Sequence, residues 1–348
     1  MQSIGFDLHK VHSQICVLDQ EGAVLEEVRI QTSRERLAAV FGPRPSACVL
    51  LEAGTEGEWV AQCLEQLGHE VIVADPNYGA MYATRSRRVK TDRRDARALA
   101  EALRQGLYRR VHRVSPEQRQ HRMELNVRRA LVGMRTGAIS LVRSLLRQQG
   151  LRAKSGAAEG FLRRLEELDL PQPLARTLHP LLVVLKSLNE QIAACDAVVA
   201  AMVRGNAELE RLCTVPSVGP VVSSTFVAVL DTPSRFESAH QVEAYLGLVP
   251  REHSSGEQTR RGRLTKAGSS ELRSLLVEAA WSIWCWKRPQ TEPLWRWAEK
   301  IARRRGKARA IVALARKLTG ILFALWRDGT VYDAQRLIHQ QVVSQATV

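Results

Sequence analysis

Between Leu178 and Met202 the apolar residues fall at spacings of three and four without a break. Leu178, Leu181, Leu185, Leu188, Ile192, Cys195, Val199 and Met202 form one seam more than three heptads long. No strand carries that period, so this stretch is a long helix whose seam must be covered. The cover is a helix of the same chain or an arm of another, and the seam does not distinguish them. Leu131, Met134, Ala138, Leu141 and Leu145 make a second, looser seam upstream. Pro180 lies near the start of the stronger seam and reads as its first turn or a kink.

The residues before these helices follow a different period. Ser3 to Leu8, Gln14 to Leu18 and Val24 to Ile30 read as three short strands, with Glu21-Gly22 as a turn. Ala47 to Leu51 is a buried strand ending on Glu52. Glu56 to Leu67 has helical spacing, and Glu70 to Ala74 is a fifth strand. A three-stranded meander followed by strands separated by helices is the order of an RNase-H-like sheet, though other mixed folds share part of it. The expected organisation is an α/β domain over 1–110, a helical coiled-coil arm over 111–205, a mainly α domain over 206–330 and a tail over 331–348.

Charge narrows the partner class. Lys and Arg number 51 against 36 Asp and Glu, a formal net charge of +15, which points to a polyanion. The six cysteines (Cys16, Cys48, Cys63, Cys195, Cys213 and Cys285) form no C-x-x-C pair, so a reduced chain without zinc knuckles is expected. Charged residues arrive by Asp7 and Lys10, before any leader-like apolar run. No apolar stretch has the roughly 20 residues a membrane span requires. A cytoplasmic protein with no membrane partner is the expectation.

Four acids stand out. Asp7 ends the first strand and Glu52 the fourth. Asp92 and Asp95 share a face at the start of a helix through their i, i+3 spacing. If the first and fourth strands are neighbours, these carboxylates converge at one sheet end. Hard cations such as Mg²⁺ take oxygen-rich sites of this kind, and paired ions about 4 Å apart serve phosphodiester chemistry. Each acid alone has a plainer use, as a cap, an ion-pair partner or a strand end. Arg85, Arg87, Arg88, Lys90, Arg93, Arg94 and Arg97 surround the helical pair and suit a phosphate backbone, or a solvated loop.

Three features follow in the last third. Val215 to Pro220 resembles a helix-hairpin-helix turn, in which Gly219 lets the backbone approach a phosphate; a plain helix–helix turn fits too. His253-Ser254-Ser255-Gly256 precedes Arg260, Arg261, Arg263 and Lys266, a serine hydroxyl with cations close behind. Arg303, Arg304, Arg305, Lys307 and Arg309 begin what reads as one basic C-terminal helix, running from Arg303 to Trp326. They form a second phosphate face or a solvated helix start. The tryptophans gathered here read chiefly as core or interface.

Taken together, these motifs resemble the insertion-sequence transposase family "one-ten" with its "eleven-eleven" subgroup, a family that also includes the pilin-gene invertase Piv. G-F-D-L-H-K, the L-E-A-G around Glu52 and the K-T-D-R-R-D-A of Asp92 and Asp95 look like its DEDD set on a RuvC-like domain. V-P-S-V-G-P, Arg235-Phe236, Y-L-G-L-V-P, S-S-G, L-T-K-A-G with Leu272-Arg273, and A-R-K-L look like its C-terminal transposase domain. Ser217 and Val218 stand where relatives more often have Gly and Ile.

The resemblance implies a catalytic serine, best matched by Ser255 with Ser254 in reserve, and strand exchange through a phosphoserine intermediate. It implies Mg²⁺ (or Mn²⁺) at Asp7, Glu52, Asp92 and Asp95. Its implied partners are double-stranded DNA at element ends and target, a structured non-coding bridge RNA, and copies of the chain as a homodimer assembling to a homotetramer. Within the resemblance, a site-specific DNA invertase like Piv is a smaller variant; the residues alone also fit a metal-dependent Holliday-junction-type nuclease, or a nucleic-acid scaffold without activity.

Overall fold

The computed structural model describes residues 2–83, 91–255 and 258–335, with the backbone alone over 253–255 and 258–261. The chain divides into two compact units, Met1–Val114 and Ser115–Val348.

The first unit holds β1 (Ser3–Asp7), β2 (His12–Leu18), β3 (Val24–Gln31), α1 (Arg34–Phe41), β4 (Cys48–Glu52), α2 (Gly57–Gln66), β5 (Glu70–Ala74) and α3 (Asp92–Gln105). The strands form one mixed sheet in the order β3-β2-β1-β4-β5. β1, β2 and β3 pair antiparallel, while β4 and β5 run parallel to β1. The first and fourth strands are therefore neighbours.

Alternation sorts the strand side chains onto two faces. Ile4, Phe6, Ile15, Val49 and Leu51 pack with Leu37 and Phe41 of α1 and Val60 and Leu64 of α2. Leu50 and Ile72 pack with Leu99, Ala102 and Leu103 of α3, and Cys16 and Leu18 with Ala96 and Ala100. The central strands are covered on both faces, which is why β1 and β4 read as nearly unbroken apolar runs. The short α1, capped by Ser33 and burying only Leu37 and Phe41, carries too few apolar positions to announce itself in sequence.

In the second unit α4 (Pro116–Gln148) and α6 (Gln172–Val203) are long helices, with α5 (Phe161–Glu166) between them. They pair antiparallel. Leu125 packs near Val199, Arg128 binds Asp196, Arg135 binds Asn189, and Val142 and Leu146 share a cluster with Leu178 and Leu185. The strong seam thus finds its cover inside the chain: Leu178, Leu185, Leu188, Ile192 and Val199 are buried. Pro180 lies inside α6, well past its first turn, because the helix begins at Gln172 with Pro173 supplying the N-terminal proline. The looser seam on α4 is only partly used. Ala138 and Leu145 pack, whereas Met134 and Leu141 are exposed, because Val142 and Leu146, a step round the helix, face the core instead.

The remaining elements are α7 (Ala207–Cys213), α8 (Pro220–Leu230), α9 (Ala239–Tyr245), β6 (Pro250–Ser255), β7 (Gln258–Leu264), α10 (Ser270–Trp286), α11 (Glu292–Arg305) and α12 (Lys307–Asp328). Their core joins Phe226 of α8, Leu272 and Leu276 of α10, and Leu314, Leu318, Phe323 and Trp326 of α12. The basic C-terminal stretch is two helices rather than one. Gly306, at φ +84°, breaks it between Arg305 and Lys307. Among the described residues no helix is long and apolar enough to cross a membrane.

Candidate functional site

The acid cluster is built by the sheet and α3 together. β1 and β4 run side by side with Phe6 opposite Leu51, so Asp7 and Glu52 end adjacent parallel strands one position further on. Alternation puts Asp7 on the side of Gly5, and Glu52 on the side of Leu50. That is the side on which α3 lies: a Cβ on Gly5 would meet the Ala96 carbonyl at 2.0 Å, and Leu50 packs on Leu99.

Thr91 caps α3, its hydroxyl accepting from the Arg94 N–H, and Asp92 and Asp95 fall in the first turn. Asp92 is therefore not the cap. It is exposed, whereas Asp95 is buried. Both sit where the helix dipole favours negative charge.

Asp7 is buried, and that burial raises its carboxyl above the ordinary aspartate range. The nearby charges of Asp95 and Asp92 raise it further, against the lowering effect of His9. Asp7, His9 and Asp92 each place a ligand atom within 4.8 Å of the others. Mutual repulsion among carboxylates around a buried one is relieved by a cation, so these residues fit a divalent metal site. His9, two residues beyond Asp7 in G-F-D-L-H-K, is not among the residues that spacing singles out; its only signal in the sequence is its place in that motif.

The surrounding cations divide. Arg93 pairs with Glu27 of β3, while Arg94 is exposed. Arg85, Arg87, Arg88 and Lys90 lie outside the described residues.

In the second unit the turn 214–219 links α7 to α8. Gly219 precedes Pro220 at the start of α8, and a Cβ there would meet nothing within 4 Å. The residue that strains the turn is Ser217, at φ +71°. The serine segment forms the hairpin of β6 and β7, in which Ser254 pairs with Thr259 and Ser255 with Gln258. Ser255 ends β6. Gly256 lies outside the described residues, and the side chains of Ser254, Ser255, Arg260 and Arg261 are not described. Arg263 and Lys266 are exposed.

At the foot of this hairpin, Leu248, Pro250 and Leu264 share a cleft of about 460 Å³ with Arg304, Arg305, Arg309 and Arg316. Arg316 is held by Glu243. Lys307 stands over the rings of Trp281 and Trp284. Arg303, Arg304 and Arg305 close α11, where cations suit the helix dipole. Lys307 and Arg309 open α12, where they do not, so helix stability does not account for the second pair.

A carboxylate cluster at the ends of inner strands, in one chain with a strongly basic helical unit, is the make-up of an enzyme acting on a nucleic-acid backbone. The comparisons with known proteins name the class. Residues 4–150 match the DEDD-type transposase domain of IS110 elements, and residues 209–296 match the transposase IS116/IS110/IS902 family. A probable family 20 transposase of Pseudomonas aeruginosa is 33% identical over 338 residues, covering 95% of this chain and 98% of the relative. The transposase for insertion sequence element IS1111A of Coxiella burnetii is 29% identical, covering 92% and 88%. The pilin gene-inverting protein of Moraxella lacunata is 29% identical over 136 residues, 39% of this chain and 41% of that one.

The chain belongs to the IS116/IS110/IS902 family of transposases, enzymes that bind DNA, cut it and rejoin it. The DEDD-type domain goes with the use of a divalent metal.

Proposed function

We propose that this transposase moves an insertion sequence by strand exchange through a serine, with Mg²⁺ or Mn²⁺ held by Asp7, Glu52, Asp92 and Asp95. The observation that carries the reading is that Asp92, with His9, lies within 4.8 Å of the buried Asp7 carboxylate, whose carboxyl the charges of Asp95 and Asp92 help to raise, an arrangement that repulsion opposes and a cation would relieve. The strand order β3-β2-β1-β4-β5, with the acids ending β1 and β4, supports an RNase-H-like (RuvC-like) domain. A divalent ion held by these acids would polarise a phosphodiester and steady charge on its oxygens.

Ser255 is the proposed nucleophile, with Ser254 as the alternative. Its Oγ attacks phosphorus and forms an Oγ–P ester. The bond from phosphorus to one strand's bridging oxygen breaks, and that oxygen leaves as a hydroxyl with the proton the serine gave up. A second DNA hydroxyl then displaces the serine and reseals the strand. Arg260, Arg261, Arg263 and Lys266 are proposed to hold the phosphates beside it, as are Arg94, Gly219, Arg303, Arg304 and Lys307 elsewhere. Arg85, Arg87, Arg88, Lys90 and Arg93 belong to the same proposal, though the Glu27 pair must open for Arg93 to serve.

The partners proposed are duplex DNA, a non-coding bridge RNA, and further copies of the chain as a dimer that assembles to a tetramer. The RNA rests on the family likeness and the net charge of +15. Assembly is supported by Met123, Val127, Met134 and Leu141, which are about half exposed along one face of α4. The limited likeness to the pilin gene-inverting protein supports site-specific inversion as a variant of the same chemistry.

A recombination assay with cognate DNA and RNA tests the proposal. Ser255→Ala and Asp7→Ala each abolish product, and Ser255→Ala also removes the covalent protein–DNA species seen on denaturing gels. Full activity of Ser255→Ala refutes the serine assignment, and loss with Asp7→Ala alone leaves a carboxylate-only nuclease.

A further inference from the structure

His9 lies just beyond β1, and its ring turns back over the acid cluster. Its Nε2 is 3.2 Å from Asp7 Oδ2 and 3.6 Å from Asp92 Oδ1. One nitrogen thus faces two carboxylate oxygens supplied by different elements, β1 and α3. Neighbouring ligands of an octahedral ion with bonds near 2.1 Å are about 3 Å apart. The two measured edges, 3.2 and 3.6 Å, are close to that spacing, and all three ligand atoms lie within 4.8 Å of one another.

The position of the ring is built rather than incidental. The His9 N–H donates to Ser13 Oγ at 3.1 Å, and the Thr32 hydroxyl donates to the His9 carbonyl at 2.8 Å. Ser13 Oγ and Thr32 Oγ1 are 2.7 Å apart, and Ser13 is fully buried in β2. Ser13 of β2 and Thr32, just beyond β3, therefore clamp the main chain of His9 on both its polar atoms. The side chain is left half exposed, at 51%, and directed at the acids. A histidine needed only for packing would be covered, and one needed only for solubility would not be anchored.

We propose that His9 is a nitrogen ligand of the divalent cation bound at Asp7 and Asp92, which makes the centre a mixed carboxylate–imidazole site. The inference rests on reading the acid cluster as the metal site. It carries a consequence for metal choice. Imidazole suits Mn²⁺ and later first-row ions better than Mg²⁺, which takes oxygen ligands, so the centre prefers Mn²⁺ beyond what four carboxylates provide.

The test uses the full-length protein with Mn²⁺ or Mg²⁺ alone as probe. Pulsed EPR on the Mn²⁺-loaded protein reads nitrogen hyperfine coupling, and calorimetry reads affinity for each ion. Wild type shows the coupling; His9→Gln and His9→Asp both lose it. His9→Gln weakens Mn²⁺ binding about tenfold or more and Mg²⁺ binding much less. His9→Asp recovers affinity through its carboxylate and brings Mg²⁺ closer to Mn²⁺. Circular dichroism melts confirm that each variant is folded.

Binding that depends on Asp7 but shows no nitrogen coupling, or coupling that survives in His9→Gln, overturns the assignment of His9 and leaves the carboxylate site standing. Mn²⁺ binding that Asp7→Asn does not weaken overturns the site itself, and this inference with it.

Discussion

Gly5 and Ala96 meet backbone to backbone: a Cβ placed on Gly5 would lie 2.0 Å from the Ala96 carbonyl oxygen and 2.3 Å from the Ala100 nitrogen. Neither atom can move without moving α3. The contact therefore sets how closely the first turn of α3, with Asp92 and Asp95, approaches Asp7.

Gly5→Ala is expected to push α3 off the sheet. The cost is about 3 kcal/mol or more, since the clash is with main chain rather than a pliable side chain. Thermal unfolding reads the loss, and Mn²⁺ affinity falls with it as the acids separate. A variant with wild-type melting and metal binding would show that α3 tolerates a wider spacing.

Asp7 gives a pH dependence whose sign is fixed by its environment. Its carboxyl is raised in the fold, so the folded state favours the protonated form. For the metal-free protein, this contribution to stability is complete below the ordinary aspartate range. It is lost as pH rises through the higher folded value. At neutral pH Asp7→Asn is accordingly expected to raise the melting temperature of the metal-free protein. Added Mn²⁺ stabilises the wild type and not the variant. Melting curves with and without metal across mildly acidic to neutral pH check both statements.

Arg122 is half-buried and donates from Nε to the Ala228 carbonyl at 2.6 Å and from Nη2 to that of Val229 at 2.9 Å, at the end of α8. Burial lowers its pKa, yet the two carbonyls hold the charge in place. Arg122→Met leaves both carbonyls without this donor and is expected to cost roughly 2–3 kcal/mol. Arg122→Lys recovers only part of that, because an ammonium lacks the planar fork. Urea unfolding of the three proteins decides it.

Ser217 occupies the left-handed region, where a side chain costs energy and glycine does not. Its hydroxyl gains a contact with Ser282 Oγ at 3.0 Å. Ser217→Gly is expected to stabilise the chain by up to about 1 kcal/mol, the backbone relief exceeding one hydrogen bond that water can replace. A lower melting temperature in the variant would show that the Ser282 contact outweighs the backbone strain.

Arg304, Arg305 and Arg309 line the cleft at the foot of the β6–β7 hairpin and have no ion-pair partner among the described residues. Changing all three to Gln is expected to weaken DNA binding and to flatten its salt dependence. The slope of log K against log salt falls by about 0.9 for each arginine that contacts a phosphate. An unchanged slope in a filter-binding titration would take these residues out of the nucleic-acid surface.

Much of this protein is written locally. The strands end on Asp7 and Glu52 because apolar runs buried on both faces give way there to acids, and that change is plain in the sequence. The i, i+3 spacing of Asp92 and Asp95, and the seam from Leu178 to Met202, are periods that only a helix satisfies. The ordered motifs were enough to point to the transposase family.

Other features depend on contacts between residues far apart in sequence, which no local pattern carries. Only pairing of β1 with β4 brings Asp7 beside Glu52, and only the bare backbone of Gly5 lets α3 close over them. The seam of α6 is covered by α4, which packs against it, so the apolar side chains left exposed lie off that seam, at Met134 and Leu141 of α4 and at Val183, Val184 and Val198 of α6. Gly306 splits a basic run that looked continuous, since one positive φ ends α11 whatever the pattern around it. His9 joins the acid cluster because Ser13 and Thr32, from neighbouring parts of the sheet, hold its main chain. Periodicity determined which elements form and which way their side chains face; tertiary packing alone decided which of those side chains meet.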